Sequence, residues 1–342
     1  MFRKRIGIDL GTANTVFVAE GNSVVLDQPS VVAIQRLNGK TKVVAVGEPA
    51  RLMLGKTPKS IEASTPLRDG VIANFEVAER MIDAFFRAAV PASRFLKPVV
   101  IVCVPYGATA VEKRAIQQTI LSAGAKRVGL VEEPMAAAMG ANLPVFAPKG
   151  SMIVDIGGGT TEIAVISLGG IVCASSIRLA GNHFDRTIVD TVRKKLDLII
   201  GLPMAERIKL EVVTAREDIE KGAEAIRSME VRGIDSKTGI PKAITVNSTH
   251  FTTAVTALVN AIEGEIRSVL DRAPPDLASD IHSAGIMLTG GGALLRDLPL
   301  ALAKRVEIPV TLAEQPKLSV AFGTGLAVQF EKQFINAIQF NP

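Results

Sequence analysis

The chain has 342 residues, 48% hydrophobic and 21% charged, so it folds as a globule and is longer than one ordinary core holds. Its net charge of +5, from 39 basic and 34 acidic side chains, comes with no Trp, one Tyr and no long basic run, which argues against nucleic acid as a partner. No apolar run reaches the roughly 20 residues that span a bilayer. Cys103 and Cys173 sit in apolar runs and read as buried thiols of a reducing compartment, while His183, His250 and His282 are scattered without metal-ligand spacing.

The segment Met1-Phe2-Arg3-Lys4-Arg5 runs straight into a strand and leaves no room for a signal peptide, which implies a cytoplasmic protein. Strands are expected at 5–10, 15–19 and 23–26. The stretch 30–74 breaks the pattern and reads as an insertion. A helix over 75–90, a strand over 99–104 and a helix over 109–123 complete a first round. A second round has strands at 152–156, 162–167 and 171–178, helices at 182–199, 203–215 and 250–272, and a strand at 285–289. Within it, 216–247 again breaks the pattern. A helix-like stretch from Leu294 to Val306, a short strand Val310-Thr311-Leu312 and a terminal helix over 318–336 close the chain. Each round has hairpin strands and then a helix-strand crossover, the pattern of an α/β fold with two duplicated lobes. Residues 1–145 plus 318–342 are expected to form the first lobe, with an insertion at about 30–74. Residues 146–317 form the second, with an insertion at about 182–247.

A glycine-rich turn occurs twice, each time after an apolar run ending in Asp. The first copy reads Ile6-Gly7-Ile8-Asp9-Leu10-Gly11-Thr12-Ala13-Asn14-Thr15 and the second Ile153-Val154-Asp155-Ile156-Gly157-Gly158-Gly159-Thr160-Thr161. Apolar residues resume beyond each turn, so each is the tip of a β-hairpin. Tips of Gly and Thr expose backbone N–H groups and hydroxyls with little bulk, which suits them to closing on phosphate oxygens, and the Asp of each can hold a metal-bound water. Two such tips about a domain apart imply a phosphate chain gripped from both sides. A third cluster, Thr289-Gly290-Gly291-Gly292-Ala293, follows another apolar run and offers amides at a strand-to-helix turn. Glu133 precedes Pro134, a residue favoured at the start of a helix, which sets Glu133 at a helix mouth. Glu206 and Lys209 are three apart on one helix face, a spacing that by itself reads as an exposed ion pair. Two short segments combine exposed-type apolar residues with cations: Phe2 beside Arg3-Lys4-Arg5, and Phe95-Leu96 between Arg94 and Lys97. Both suit an anionic membrane surface.

These residues resemble the actin, sugar kinase and heat-shock-chaperone ATPase superfamily, and within it the MreB family of bacterial actins. The finer matches are Asp9 to Thr15, Gln28-Pro29-Ser30-Val31-Val32-Ala33, Arg68-Asp69-Gly70-Val71-Ile72-Ala73, Glu132-Glu133-Pro134-Met135-Ala136-Ala137-Ala138, Ala205-Glu206-Arg207-Ile208-Lys209 and Pro274-Pro275-Asp276-Leu277-Ala278-Ser279-Asp280-Ile281. The resemblance implies an actin-like ATPase fold that binds ATP and Mg2+. It gives the hydrated Mg2+ to Asp9 and Asp155, and the phosphates to Thr12, Ala13, Asn14, Gly157, Gly158, Gly159, Thr160 and Thr161. It gives the attacking water to Glu133 with Thr160. The adenosine goes to Glu206, Arg207, Ile208 and Lys209 with Gly290, Gly291, Gly292 and Ala293. It further implies slow ATP hydrolysis coupled to homopolymer filaments, attachment to the inner face of the cell membrane, cell-shape membrane proteins as partners, and a scaffold role in cell shape. The chain departs from the family at Gly181-Asn182, where Gly-Asp is usual, at Phe184-Asp185-Arg186, at Phe322, and across 217–245. An organelle-aligning filament like MamK, or a soluble metabolite kinase of the same superfamily, is the alternative.

Overall fold

Apolar alternation around the first glycine turn folds as a hairpin: β1 (Arg5–Leu10) and β2 (Asn14–Ala19) pair antiparallel, Ile8 opposite Phe17 and Asp9 opposite Val16. This is seen in a computed structural model that describes residues 5–37, 40–90, 97–217 and 226–340. β3 (Ser23–Pro29) extends the hairpin into a meander. The first pattern break then forms its own small sheet. β4 (Val32–Leu37), β5 (Lys40–Val46) and, after the short α1 (Glu48–Arg51), β6 (Ile61–Ser64) pair in the order β5-β4-β6, and β7 (Leu67–Arg68) pairs with β8 (Val71–Ile72). α2 (Phe75–Ala89), capped by Asn74, buries Val77, Ala78, Met81, Ile82, Phe85, Phe86 and Ala89, the spacing of one helix face. β9 (Val99–Val104) is buried on both faces and lies parallel to β1. α3 (Ala110–Ser122) starts in a Thr109–Glu112 capping box and leads to β10 (Arg127–Glu132), parallel to β9, and α4 (Glu133–Gly140).

The same plan is then repeated. β11 (Ser151–Ile156), β12 (Thr161–Ser167) and β13 (Gly170–Ile177) form an antiparallel meander. α5 (Gly181–Leu196), β14 (Leu198–Ile199), α6 (Leu202–Glu211), β15 (Ser228–Asp235) and β16 (Pro241–Asn247) follow, with the three strands in the order β14-β15-β16. α7 (Thr252–Arg272) and α8 (Pro275–Ala284) cross back to β17 (Ile286–Thr289), parallel to β11, and α9 (Leu298–Val306) leads to β18 (Val310–Leu312), parallel to β17. α10 (Ser319–Gln329) and β19 (Gln339–Phe340) end the described chain. The two large sheets run β3-β2-β1-β9-β10-β19 and β13-β12-β11-β17-β18, so a three-strand meander continued by two parallel strands occurs twice. This is the duplicated α/β architecture expected from the sequence.

Some elements differ from expectation. β10, β19 and the strands of both small sheets were not expected. Leu294 to Val306 is not one helix: a 3-10 turn over Gly291–Leu294 is followed by Asp297 at φ 63, and only then does α9 begin. α6 stops at Glu211, and α5 stops at Leu196 because Asp197 turns left-handed at φ 52. The terminal helix stops at Gln329, after which the chain turns back and β19 joins β10, with the Arg127 guanidinium 4.0 Å from the Phe340 ring centre.

α4 and α10 lie between the two large sheets. A buried cluster joins Ile101, Val131 and Ala136 on one side to Ile153 and Ala164 on the other, with Val320 and Ala327 from α10. The helices touch so closely that a Cβ at Gly323 would lie 1.8 Å from the Ala136 carbonyl oxygen. Phe322, the unusual residue of this helix, packs with Leu318 against Val16, Val18 and Ala321.

Candidate nucleotide cleft

The two glycine turns, 145 and 147 positions apart in sequence at Gly158–Ala13 and Gly159–Thr12, meet face to face. A Cβ built on Gly158 would lie 2.8 Å from the Ala13 Cβ, and one on Gly159 would lie 2.8 Å from Thr12 Oγ1. Only glycine lets the tips come this near. Each tip is also fastened to its own lobe. Thr12 Oγ1 accepts from the Gly70 N–H at 3.0 Å, which brings the β7–β8 hairpin against the first tip, and Asn14 Nδ2 donates to Asp27 at 2.7 Å. The second tip is held by the start of α5, where the N–H groups of Gly181 and Asn182 donate to the carbonyls of Gly157 and Gly158 at 3.0 and 2.9 Å. The third glycine cluster closes the site from the second lobe. Gly290 stands at φ 87, and a Cβ there would lie 2.4 Å from Asp155 Oδ1.

Between these turns is a cavity of about 320 Å3. Its walls include Asp9, Thr12, Ala13, Asn14 and Glu133 from the first round and Asp155, Gly157, Gly158, Gly159 and Thr160 from the second. Glu206, Lys209, Gly290, Gly291 and Gly292, also expected from the sequence, line it as well. Four further expected residues do not line it. The buried Thr161 hydroxyl donates to the Leu179 carbonyl at 2.5 Å, Arg207 pairs with Glu211 at 3.2 Å, and Ile208 and Ala293 are buried in the second lobe's core. Helix geometry explains the division on α6: Glu206, Lys209 and Leu210 turn to the cleft, while Ala205 and Ile208 turn to the core. Phe2, Phe95 and Leu96 lie outside the described residues.

The sequence reading missed Asp27, Arg51, Asp185 and Lys317, which also line the cavity. Lys209 is held by Asp185 at 2.9 Å and donates to the Gly181 carbonyl at 3.3 Å. Arg51, on α1, reaches across the cleft to Glu206 on α6 at 2.9 Å. Asp185 was legible only as a departure from the family pattern, and Arg51 carried no local signal at all.

The floor of the cleft is a nest of carboxyls. Burial, followed by the nearby Asp9 and Glu162 charges, pushes Asp155 up to about 8. Burial also lifts Asp9 to about 6, offset in part by the Cys103 thiol, which donates to Asp9 at 3.4 Å. Glu133, at the first turn of α4, is raised well above the ordinary glutamate range by burial and then by Glu162, Asp9 and Asp155. Glu162, which stands opposite Asp155 in the strand register, is lifted to about 7 by burial although it accepts from Ser176 Oγ at 2.6 Å and the Tyr106 N–H at 3.3 Å. Asp155 Oδ1 is buried without a hydrogen-bond partner. Acidic oxygens gathered in this way call for a cation or for protons. A hard divalent cation suits an all-oxygen set with a carboxylate from each tip.

Among the described residues no helix is long and apolar enough to cross a membrane. Comparison with known proteins places the whole chain. A family described as MreB/Mbl protein matches residues 3–336. The cell shape-determining protein MreB of Pasteurella multocida is 48% identical over 333 residues, covering 96% of this chain and 94% of the relative. The cell shape-determining protein Mbl of Bacillus cereus is 46% identical over 329 residues, covering 96% and 97%. Among solved structures, MreB5 of Spiroplasma citri bound to AMPPNP superposes with a TM-score of 0.90 at 33% identity, covering 98% of this chain and 99% of that one. A MamK double helical filament superposes at 0.77 and 22% identity, covering 94% and 98%, a likeness of fold alone. The fold is therefore actin-like, and the chain belongs to the MreB/Mbl family.

Proposed function

We propose that this protein binds ATP with Mg2+ in the cleft, hydrolyses it slowly, and assembles into filaments that act as a membrane-associated scaffold for cell shape. The observation that carries the reading is the meeting of the two glycine tips over a partnerless Asp155 oxygen. The similarity to cell shape-determining relatives, and to a structure holding AMPPNP, supports it. The first lobe is taken as residues 1–145 plus 318–342 and the second as 146–317, with α4 and α10 as the seam between them.

In this reading Thr12, Ala13 and Asn14 offer donors to the phosphates from one side, and Gly157, Gly158, Gly159 and Thr160 offer theirs from the other. Backbone N–H groups at glycine turns can do this without side-chain bulk. Asp9 and Asp155 are the residues that would hold Mg2+ through its waters, and the ion would supply charge that neutralises the phosphates. A cation bound at the floor would let the carboxyls around it ionise more readily. Glu133 then holds the attacking water and accepts from it, with Thr160 as the second partner of that water. Glu206, Lys209 and the Gly290 turn receive the adenosine.

Glu133→Ala tests the assignment, because Glu133 is not needed to hold phosphate. ATP affinity is expected to stay within about two-fold, while phosphate release falls by about ten-fold or more, since a positioned acid–base group typically contributes about 100-fold or more. Unchanged phosphate release would remove Glu133 from the reaction.

A further inference from the structure

The cleft has a floor, where the glycine tips meet, and a mouth, where the two small inserted units face each other. At the mouth, Arg51 and Glu206 are 155 positions apart in sequence, yet the guanidinium Nη2 stands 2.9 Å from the Glu206 carboxylate. Both side chains also line the nucleotide cavity. The pair therefore lies over the site and joins one wall to the other.

Each partner is carried on an anchored element. Gly47 precedes α1 as its N-cap, and the Glu48 N–H donates to Gln28 Oε1 on β3 at 3.0 Å, while the Gly47 N–H donates to the Val31 carbonyl at 2.9 Å. On the other wall α6 is fastened one turn further on, where Lys209 meets Asp185 on α5. Each partner therefore stands on an element fastened to its own wall, with Glu48 also 3.9 Å from the Arg51 guanidinium.

We propose that Arg51 is a positioning residue that latches the cleft over bound nucleotide through Glu206 and so sets how fast ADP leaves. The idea rests on the nucleotide reading above. The arginine has 46% of its side chain exposed and the glutamate 41%. An ion pair this wet is weak and screened by salt. That weakness suits a latch that must open in each cycle: it slows release a few-fold and does not trap the product. Arginine also suits a carboxylate on a facing wall, since its planar fork offers several donors while lysine offers a point charge.

The test is stopped-flow release of a fluorescent ADP from the full-length protein in Mg2+. Arg51→Ala is expected to speed release by about two- to five-fold in low salt, the range an exposed ion pair supports. Arg51→Glu is expected to be faster still, and Arg51→Lys intermediate. Raising salt should speed release from the wild type and leave Arg51→Ala nearly unchanged. In a Glu206→Gln background, Arg51→Ala should add little, because the partner is already weakened. Unfolding temperatures within a degree or so of wild type would show that exposed Arg51 is not a folding residue. Unchanged release by Arg51→Ala, or an equal effect with and without Glu206, would overturn the latch. Failure of the wild-type protein to bind the fluorescent ADP would instead overturn the nucleotide reading itself.

Discussion

Asp155 is placed where an ionised carboxylate is costly. It is buried, faces Asp9 and Glu162, and has an oxygen without a partner, so its folded-state value sits at about 8 against an ordinary 3.8. A folded state that holds its proton more tightly than the unfolded chain is stabilised at low pH, and loses that stabilisation as pH rises through the folded value. For the nucleotide-free, Mg2+-free protein the loss begins near pH 4 and is complete above about pH 8, with Asp9 adding a share up to about 6. Asp155→Asn removes the proton from the balance. In a chelator, its unfolding temperature should exceed that of wild type by several degrees at pH 9, and the gap should close towards pH 5. A gap of constant size across that range would show that Asp155 ionises normally. The same residue is the cation's anchor in the proposed function, so a stabilised apo protein that handles Mg2+ poorly is the expected signature of a site built for a ligand.

At the scale of elements, the crossing of α4 and α10 decides how the two halves sit on each other. A Cβ at Gly323 would meet the Ala136 carbonyl oxygen at 1.8 Å and one at Gly140 the Ser319 carbonyl oxygen at 1.8 Å, so both helices must shift if either glycine grows. Gly323→Ala should destabilise the protein by about 1–3 kcal/mol, the usual cost of overpacking, and should do so with no loss of helix propensity, since alanine is the better helix former. Denaturant unfolding reads this out, and a stabilised variant would mean the crossing is looser than described. Such crossings were not legible in the sequence, because no periodicity reports which small residue faces which backbone. The hairpins around Asp9 and Asp155, the buried strand at 99–104 and the long α7 were legible, since alternation, apolar runs and helix spacing are local. Short edge strands such as β19 and β14 were not, as two residues carry no pattern. The site divided in the same way. The glycine tips were visible as repeats, whereas Arg51 and Asp185 belong to the cleft only through tertiary packing. Within the runs taken over from the family resemblance, Arg207, Ile208, Thr161 and Ala293 turn away because a helix or strand offers the cleft only one face.

At the scale of the whole molecule, the proposed function brings polymer and membrane together. Phe95 and Leu96 stand between two cations and two prolines. Burying two such side chains in acyl chains is worth roughly 3–6 kcal/mol per subunit. One copy would hold weakly, and a filament would multiply it. Phe95→Ser with Leu96→Ser should therefore abolish co-sedimentation with anionic liposomes while filaments still form, and unchanged liposome binding would shift the anchor to Phe2 or elsewhere. The central claim is that nucleotide in this cleft drives self-assembly. Its most direct test is negative-stain electron microscopy, with pelleting and phosphate release measured on the same sample of purified protein in Mg2+, with ATP and without nucleotide. The account predicts filaments and slow phosphate release with ATP, and few filaments without it. A protein that stays unassembled with ATP, or that releases phosphate only when a small-molecule acceptor is supplied, would contradict it.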